Sequence, residues 1–288
     1  MNIGELFSVE TREATDSQAI VRLNRLPEND IVAIAGSMRG PRCRFAKTLP
    51  SMFSVKERGL DSKSKFIELL VTDPCYWSPQ LPFYYDLELT VELADGSSQT
   101  LQHSLGLNRW ECFAGQLRLE GRRTVLRGGA VETFDVSAAR ETGIAAMTQK
   151  HEGGFLREAS EAGIPLIVDL REWNGDLSQR LAPLSWYPTV TFTVLDGSQT
   201  PGPLNGMKLA QAVGADATET ALASWASAVL VELHPGERPP SWLRDCGRPV
   251  LVRQLLEETV SLADIRQQCD ALQARLAPEF DFAGYFVG

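Results

Sequence analysis

The segment that decides the architecture of the first part of the chain is Asp73-Pro-Cys-Tyr-Trp-Ser-Pro-Gln-Leu-Pro-Phe-Tyr84. Prolines at positions 74, 79 and 82 fix their own φ and keep the preceding residues extended, so this segment is predicted to be a stiff loop. Trp77, Phe83 and Tyr84 can anchor such a loop to an apolar core. We therefore expect the segment to have a structural role rather than to carry chemistry.

Short predicted strands surround this loop. Residues 84–92 have the length and composition of a strand, Asp95-Gly96 is a hairpin signal, and residues 99–104 begin the returning strand. Residues 31–35 and 65–72 also have strand character, and Pro and Gly separate these segments. Repeated strands without a clear helix predict an antiparallel β-sandwich over residues 1–118.

After residue 120 the pattern changes to short apolar runs that mostly alternate with helical stretches or loops. The eight runs are 124–131, 143–149, 165–170, 189–196, 208–213, 228–234, 249–255 and 282–287. The predicted helices are 136–142, 154–162, 218–227, 240–245 and 261–276. Apolar strands between helices are typical of a parallel sheet covered on both faces, and eight of them predict a compact (β/α)8, TIM-like barrel over residues 119–288. An open doubly wound sheet with fewer strands is the alternative.

The sequence stops at Gly288, directly after the eighth run. We therefore expect the barrel to lack its last outer helix, which would leave an apolar face. The sandwich domain or a second copy of the chain is expected to cover that face.

Composition excludes some partners. A net charge of -9 argues against binding to a nucleic-acid backbone, and no apolar run is long enough to span a membrane. The N-terminus has no signal-peptide pattern, so a cytoplasmic location is favoured. Five scattered cysteines without a CxxC pair indicate buried free thiols rather than disulfides or a zinc site, and no metal or other cofactor is expected.

The loop at residues 73–84 resembles the signature that closes the immunoglobulin-like domain of family 2 glycoside hydrolases, the family of β-galactosidases and β-glucuronidases. Residues 106–111 resemble the Gly-x-Arg segment of this family, and residues 119–129 resemble the entry to its catalytic barrel. Weaker similarity continues through His151, residues 155–169 and the Tyr187-Pro188 pair. The resemblance implies an immunoglobulin-like sandwich followed by a TIM-like barrel.

The residues that carry catalysis in this family are replaced here. The reaction needs two carboxylates about 5 to 5.5 Å apart, one a nucleophile and one an acid/base. Carried over by position, the acid/base glutamate falls on Ser198 and the nucleophile on Gln254. Because a glutamine cannot form a stable glycosyl ester and a serine cannot replace a tuned carboxylic acid, the resemblance implies an inactive relative.

Other polar residues follow the predicted strands, at the end of a barrel where sites form. They are Glu132, Asp135, His151, Asp169, Glu172, Asp196, Glu232, His234, Arg253 and Gln254. Glu232 and His234 are two apart on a strand, so they are predicted to face the same way. With Asp196 they could form a relocated acid/base site, or they could form an ordinary ion pair.

His151, Asp169, Trp173, Arg253 and Gln254 are the predicted ligand-binding residues. Trp173 precedes the polar sequence Asn-Gly-Asp, and an exposed indole stacks well on a sugar ring. Anchoring of the loop by this tryptophan is the simpler alternative.

Three functions remain open from the sequence. The first is a catalytically inactive glycoside-hydrolase-like protein that binds a carbohydrate or serves in assembly. The second is a hydrolase that uses relocated acids, Asp196 and Glu232. The third is a protein-interaction scaffold without a small-molecule ligand. A barrel mouth closed by side chains or by the loop at residues 201–203 would favour the scaffold.

Overall fold

The computed structural model describes residues 3–26, 31–58, 66–130, 135–202, 206–219, 222–256 and 261–288. The chain divides into two compact units. The first unit comprises residues 1–109, 175–188 and 202–207, and the second comprises residues 110–174, 189–201 and 208–288. The domain boundary expected between residues 118 and 119 stays a prediction.

The first unit is built mainly from strands. Its elements up to residue 105 are α1 (Ile3–Leu6), β1 (Phe7–Arg12), β2 (Gln18–Arg25), β3 (Ile31–Arg42), β4 (Ser51–Ser54), β5 (Lys56–Arg58), β6 (Phe66–Thr72), β7 (Tyr84–Leu93) and β8 (Ser98–Leu105). They form two antiparallel sheets with strand orders β1-β2-β6-β5 and β4-β3-β7-β8. The predicted sandwich is therefore confirmed. Buried and exposed residues alternate along β7, as a strand with one face on a core requires.

The stiff loop at residues 73–84 is fixed to the core of this unit. Trp77 is fully buried, and its backbone N–H donates to the Leu107 carbonyl at 2.6 Å. The hydroxyl of buried Tyr85 accepts from the Cys75 N–H at 2.8 Å, and burial raises the pKa of Tyr85 to about 12. Tyr85 is thus a further anchor, next to the predicted Tyr84.

The second unit begins with a small antiparallel sheet and continues into the barrel. The later elements of the chain are β9 (Trp110–Phe113), β10 (Gln116–Leu119), β11 (Arg122–Arg123), β12 (Leu126–Ala130), α2 (Val136–Thr142), β13 (Ala145–Thr148), α3 (Gly153–Ala162), β14 (Leu166–Asp169), α4 (Leu177–Leu184), β15 (Val190–Leu195), β16 (Leu209–Val213), β17 (Ala228–Leu233), a 3₁₀ helix (Ser241–Arg244), β18 (Val250–Gln254), α5 (Leu262–Leu276) and β19 (Gly284–Val287). Strands β12 to β19 are all parallel and form a closed barrel in chain order. All eight predicted runs therefore supply barrel strands.

The face expected to need a covering domain or a second subunit is occupied by α5. This helix packs on β19 and β12. Gly129 of β12 allows the close approach, since a Cβ there would lie 2.5 Å from Ile265 of α5, and the Cys269 thiol of the same helix lies 3.2 Å from the Gly128 carbonyl. Helix α5 follows the seventh strand but packs where an eighth helix would lie, and cover of this face by another domain or a second copy stays a prediction.

Two predictions about helices also need correction. Among the described residues of 218–227 there is no α-helix: Glu219 has 3₁₀ geometry, and side chains bond the backbone of Ala223. Its N–H donates to Gln211 at 2.7 Å and its carbonyl accepts from Arg248 at 3.1 Å. Helix α4 was not predicted, and it belongs to the first unit, where it packs on α1 and β1.

The cysteines are free thiols, but only Cys269 is buried, and the other four are partly exposed. The expectation of buried thiols was therefore wrong for Cys43, Cys75, Cys112 and Cys246. Desolvation raises the pKa of Cys269 to about 11. Within the described ranges, no helix has the length and apolar character needed to cross a membrane.

Candidate functional site

A network of two carboxylates and two guanidinium groups links three strand ends of the barrel. The side chain of Arg171, just after β14, donates to both oxygens of Asp169 at 2.7 to 3.1 Å. It also donates to both oxygens of Glu232 on β17 at 2.6 and 3.0 Å. Arg253 on β18 donates to Glu232 at 3.0 Å and to the Gly288 carbonyl at 2.6 Å. The four charges therefore balance within the network.

These groups are shielded from water. The side chain of Asp169 is 8% exposed and that of Glu232 is 19% exposed. Hydrogen bonds that Arg171 donates to Asp169 and Glu232 hold its pKa above the ordinary value, although burial opposes this shift. Because every carboxylate oxygen accepts from a guanidinium, neither acid is placed as a free proton donor.

Asp196 lies just after β15 in a turn of its own. Its carboxylate accepts from the Ser198 backbone N–H at 2.8 Å, and its own N–H donates to the Gln199 side chain at 2.7 Å. Hydrogen bonds from Ser198, with a smaller contribution from Arg171, hold the pKa of Asp196 below its ordinary value. The exposed Asp196 side chain is thus stabilised in its ionised form.

The loops after β13 and β14 bring His151 and Trp173 together. Their rings meet edge to face with centroids 5.9 Å apart, and the His151 Nδ1 lies 2.7 Å from the Gln149 carbonyl. The side-chain amide of Gln199 donates to the carbonyls of Leu170 and Trp173, each at 3.2 Å. Gln199 thereby joins the Trp173 loop to the Asp196 loop.

The structure places the remaining predicted site residues away from this arrangement. The Gln254 side chain accepts from Arg275 of α5 at 3.0 Å, whereas its neighbour Arg253 joins the network. Ser198 and His234 are exposed, and the His234 N–H donates to Glu237 at 2.6 Å. Glu132 lies outside the described residues. The successive residues Arg253 and Gln254 of β18 thus point to opposite sides of the barrel wall.

Sequence reasoning missed Arg171 and Gln199. Arg171 could have been found, because it follows Asp169 by two positions at the end of a predicted strand and so shares its direction. Gln199 gives no such signal, since its partners are backbone carbonyls of another loop. Among the described residues, no three His, Cys, Asp or Glu side chains are grouped so that they could hold a metal ion.

Comparison with solved structures relates the chain to glycoside hydrolases in fold. A family 2 glycosyl hydrolase from Bacteroides cellulosilyticus superposes with a TM-score of 0.66 at 15% identity, covering 99% of this chain and 43% of that one. The Parabacteroides merdae β-glucuronidase gives 0.63 at 12% identity, over 98% of this chain and 47% of its own. The Dictyoglomus thermophilum β-D-glucuronidase gives 0.61 at 13% identity, over 98% and 61%.

Comparison of sequences gives a shorter match. A β-galactosidase from Oenococcus oeni is 32% identical over 83 residues, which are 28% of this chain and 8% of that protein. No protein-family description matches the chain. The protein has the sandwich and barrel of family 2 glycoside hydrolases and resembles them in sequence, but it spans only part of the length of these relatives.

Proposed function

We propose that this protein binds a carbohydrate at the carboxyl end of its barrel without hydrolysing it. The observation that best supports the absence of hydrolysis is the bracketing of Glu232 by Arg171 and Arg253. A retaining glycosidase needs one carboxylate free to attack and one carboxylic acid able to give up a proton. The paired Glu232 meets neither need.

Asp196 is also unsuited to the role of the acid. Because the hydrogen bonds from Ser198 favour its charged form, Asp196 would be ionised at neutral pH and would hold no proton for a leaving group. With a serine and a glutamine at the family's catalytic positions, the described carboxylates near the barrel mouth provide structure and polarity. This favours the inactive relative over a hydrolase with relocated acids.

The carbohydrate contact is assigned to the His151–Trp173 pair. Trp173 is partly exposed and its backbone carbonyl accepts from Gln199, and an aromatic face of this kind can stack on the apolar face of a sugar ring. The neighbouring Asp196 carboxylate could accept hydrogen bonds from sugar hydroxyl groups. A site of this composition fits a neutral saccharide.

A thermal-shift titration with mono- and oligosaccharides tests the proposal, because a ligand that binds only the native state raises the melting temperature. We expect at least one neutral saccharide to raise the melting temperature. Trp173→Ala should abolish this shift, whereas the control Phe113→Ala, at an exposed aromatic residue, should leave it unchanged. Parallel assays with p-nitrophenyl glycosides should show no turnover. Turnover that is lost in Asp196→Asn or Glu232→Gln would instead support the hydrolase.

A scaffold without a small-molecule ligand is the second candidate, and the network itself favours it. Charged side chains that connect β14, β17, β18 and the Gly288 carbonyl occupy the region where a family ligand would sit. If no saccharide shifts the melting temperature at millimolar concentration while the protein remains folded, the scaffold is supported and carbohydrate binding is rejected.

A further inference from the structure

The outer face of the sheet β4-β3-β7-β8 has a cationic end. Residues 31–56 contain no aspartate or glutamate and five basic residues, in a chain whose net charge is -9. Arg42 pairs with Asp86 at 3.0 Å. Arg39, Arg44 and Lys47 are exposed and have no ion-pair partner among the residues that the structure describes. This end of the face therefore carries uncompensated positive charge.

The same end is also apolar. Leu49 is 90% exposed, Met52 is 64% exposed and Phe45 is 43% exposed. Leu49 and Phe45 lie in the connection from β3 to the edge strand β4, and Met52 pairs with Arg39 across the two strands. Arginine, phenylalanine and methionine are residue types enriched where proteins meet. The composition of this end is thus typical of a protein interface.

The other end of the face is acidic. Glu92 and Asp95 lie at this end, whereas Glu88, opposite Ser37, lies between the two ends. Glu88 and Glu92 are exposed on β7 and alternate with the buried Leu87, Leu89 and Val91, so they point outward. Asp95 is exposed in the β7–β8 turn. None of these three acids forms an ion pair with a described residue.

The two ends are separated along the strands. Arg39 is opposite Asp86, and Ala33 is opposite Glu92 six positions further along β7. At about 3.3 Å per residue, the ends are about 20 Å apart on one face. If a second copy is related to the first by a two-fold rotation, its acidic end lies over the cationic end of the first copy. Its cationic end then lies over the acidic end of the first copy. A self-complementary patch of this kind is what an isologous dimer requires.

We propose that this face is a dimerisation surface on which two copies of the chain pair antiparallel, with cationic end against acidic end. The contacts would cover Leu49 and Met52 and would give Arg44 and Lys47 the partners Glu88 and Glu92 of the other copy. This pairing is independent of the barrel and of any ligand bound there.

Sedimentation equilibrium of the full chain tests the dimer. We expect a monomer–dimer equilibrium whose dissociation constant rises about tenfold or more between 50 and 500 mM NaCl, because exposed charges are screened. Arg44→Glu/Lys47→Glu should be monomeric, and so should Glu88→Lys/Glu92→Lys. The control Arg122→Glu/Arg157→Glu makes the same charge change at exposed positions of the barrel unit and should dimerise like the unaltered chain.

Mixing the two monomeric variants gives the decisive result. One variant then has two acidic ends and the other has two cationic ends, so together they should form a heterodimer although each alone does not. Such recovery also excludes misfolding as the cause of the lost dimer. A monomer at all salt concentrations, a dimer unaffected by the reversals, or a mixture that stays monomeric would overturn the proposal and leave the cationic end for another anionic partner.

Discussion

Replacing Arg171 by leucine removes the centre of the barrel network and allows its contribution to be measured. The change leaves Glu232 with Arg253, but Asp169 then keeps only the backbone N–H of residue 171 at 3.1 Å. Removing one partner of a buried ion pair costs about 3 to 5 kcal/mol. Because the Arg171 side chain is 25% exposed and Glu232 remains paired, we expect the lower part of this range, about 3 kcal/mol.

Two further variants set the scale for Arg171→Leu. Arg253→Leu should cost less, about 1 to 2 kcal/mol, because Glu232 keeps both bonds from Arg171. Arg238→Leu is the matched control: this arginine is 81% exposed, lies 3.6 Å from Glu279 and should change stability by less than about 0.5 kcal/mol.

Urea unfolding followed by tryptophan fluorescence and by circular dichroism measures these differences. The two probes must agree for a single free energy of unfolding to be defined, since the chain has two compact units. The expected order of destabilisation is Arg171, then Arg253, then Arg238. If Arg171→Leu unfolds at the same urea concentration as Arg238→Leu, the network contributes no stability and the reasoning is wrong.

Three other predictions test packing and ionisation. Gly128→Ala should lower the free energy of unfolding, measured by urea titration, by about 1 to 3 kcal/mol, because its Cβ would lie 2.1 Å from the Ala145 carbonyl oxygen. The control Gly154→Ala, where the space is open, should not destabilise the protein. Trp186→Phe should cost about 1 to 3 kcal/mol in the same assay, since its indole N–H donates to the Phe7 carbonyl at 2.8 Å in the core; an unchanged midpoint would contradict this. Stability should also fall in alkaline solution. The pKa of Cys269 is raised from 9.0 to about 11, and that of Tyr85 from 10.0 to about 12. The stabilising contribution of each group is complete below its unfolded pKa and is lost as the pH rises toward its folded pKa. Melting temperatures at pH 8, 9.5 and 11 should therefore decrease in that order, and a constant value would refute the assignment.

The sequence by itself determined the eight strands of the barrel and, in the first unit, the β7–β8 hairpin. Buried barrel strands such as β14 are continuous apolar runs, and the Asp95-Gly96 turn sets the register of β7 with β8, which pairs Glu92 with Ser98. These features are local, since a run of apolar residues or a turn dipeptide restricts its own backbone. The loss of the family's glutamates at Ser198 and Gln254 could also be read directly from the residues.

Only the tertiary structure decided which groups meet. The pairing of Arg171 with Glu232 joins residues 61 positions apart, and the bond from Gln199 to the Trp173 carbonyl depends on the paths of two loops. No α-helix forms among the described residues around Ala223, whose N–H donates to the distant Gln211 side chain and whose carbonyl accepts from Arg248 as well as from the Ala226 N–H. Helix α5 could not be placed on β19 and β12 from its position after β18, since that packing depends on the space left by Gly129. Local preference fixes an element, whereas its partners are fixed by closure of the barrel, which brings distant residues together.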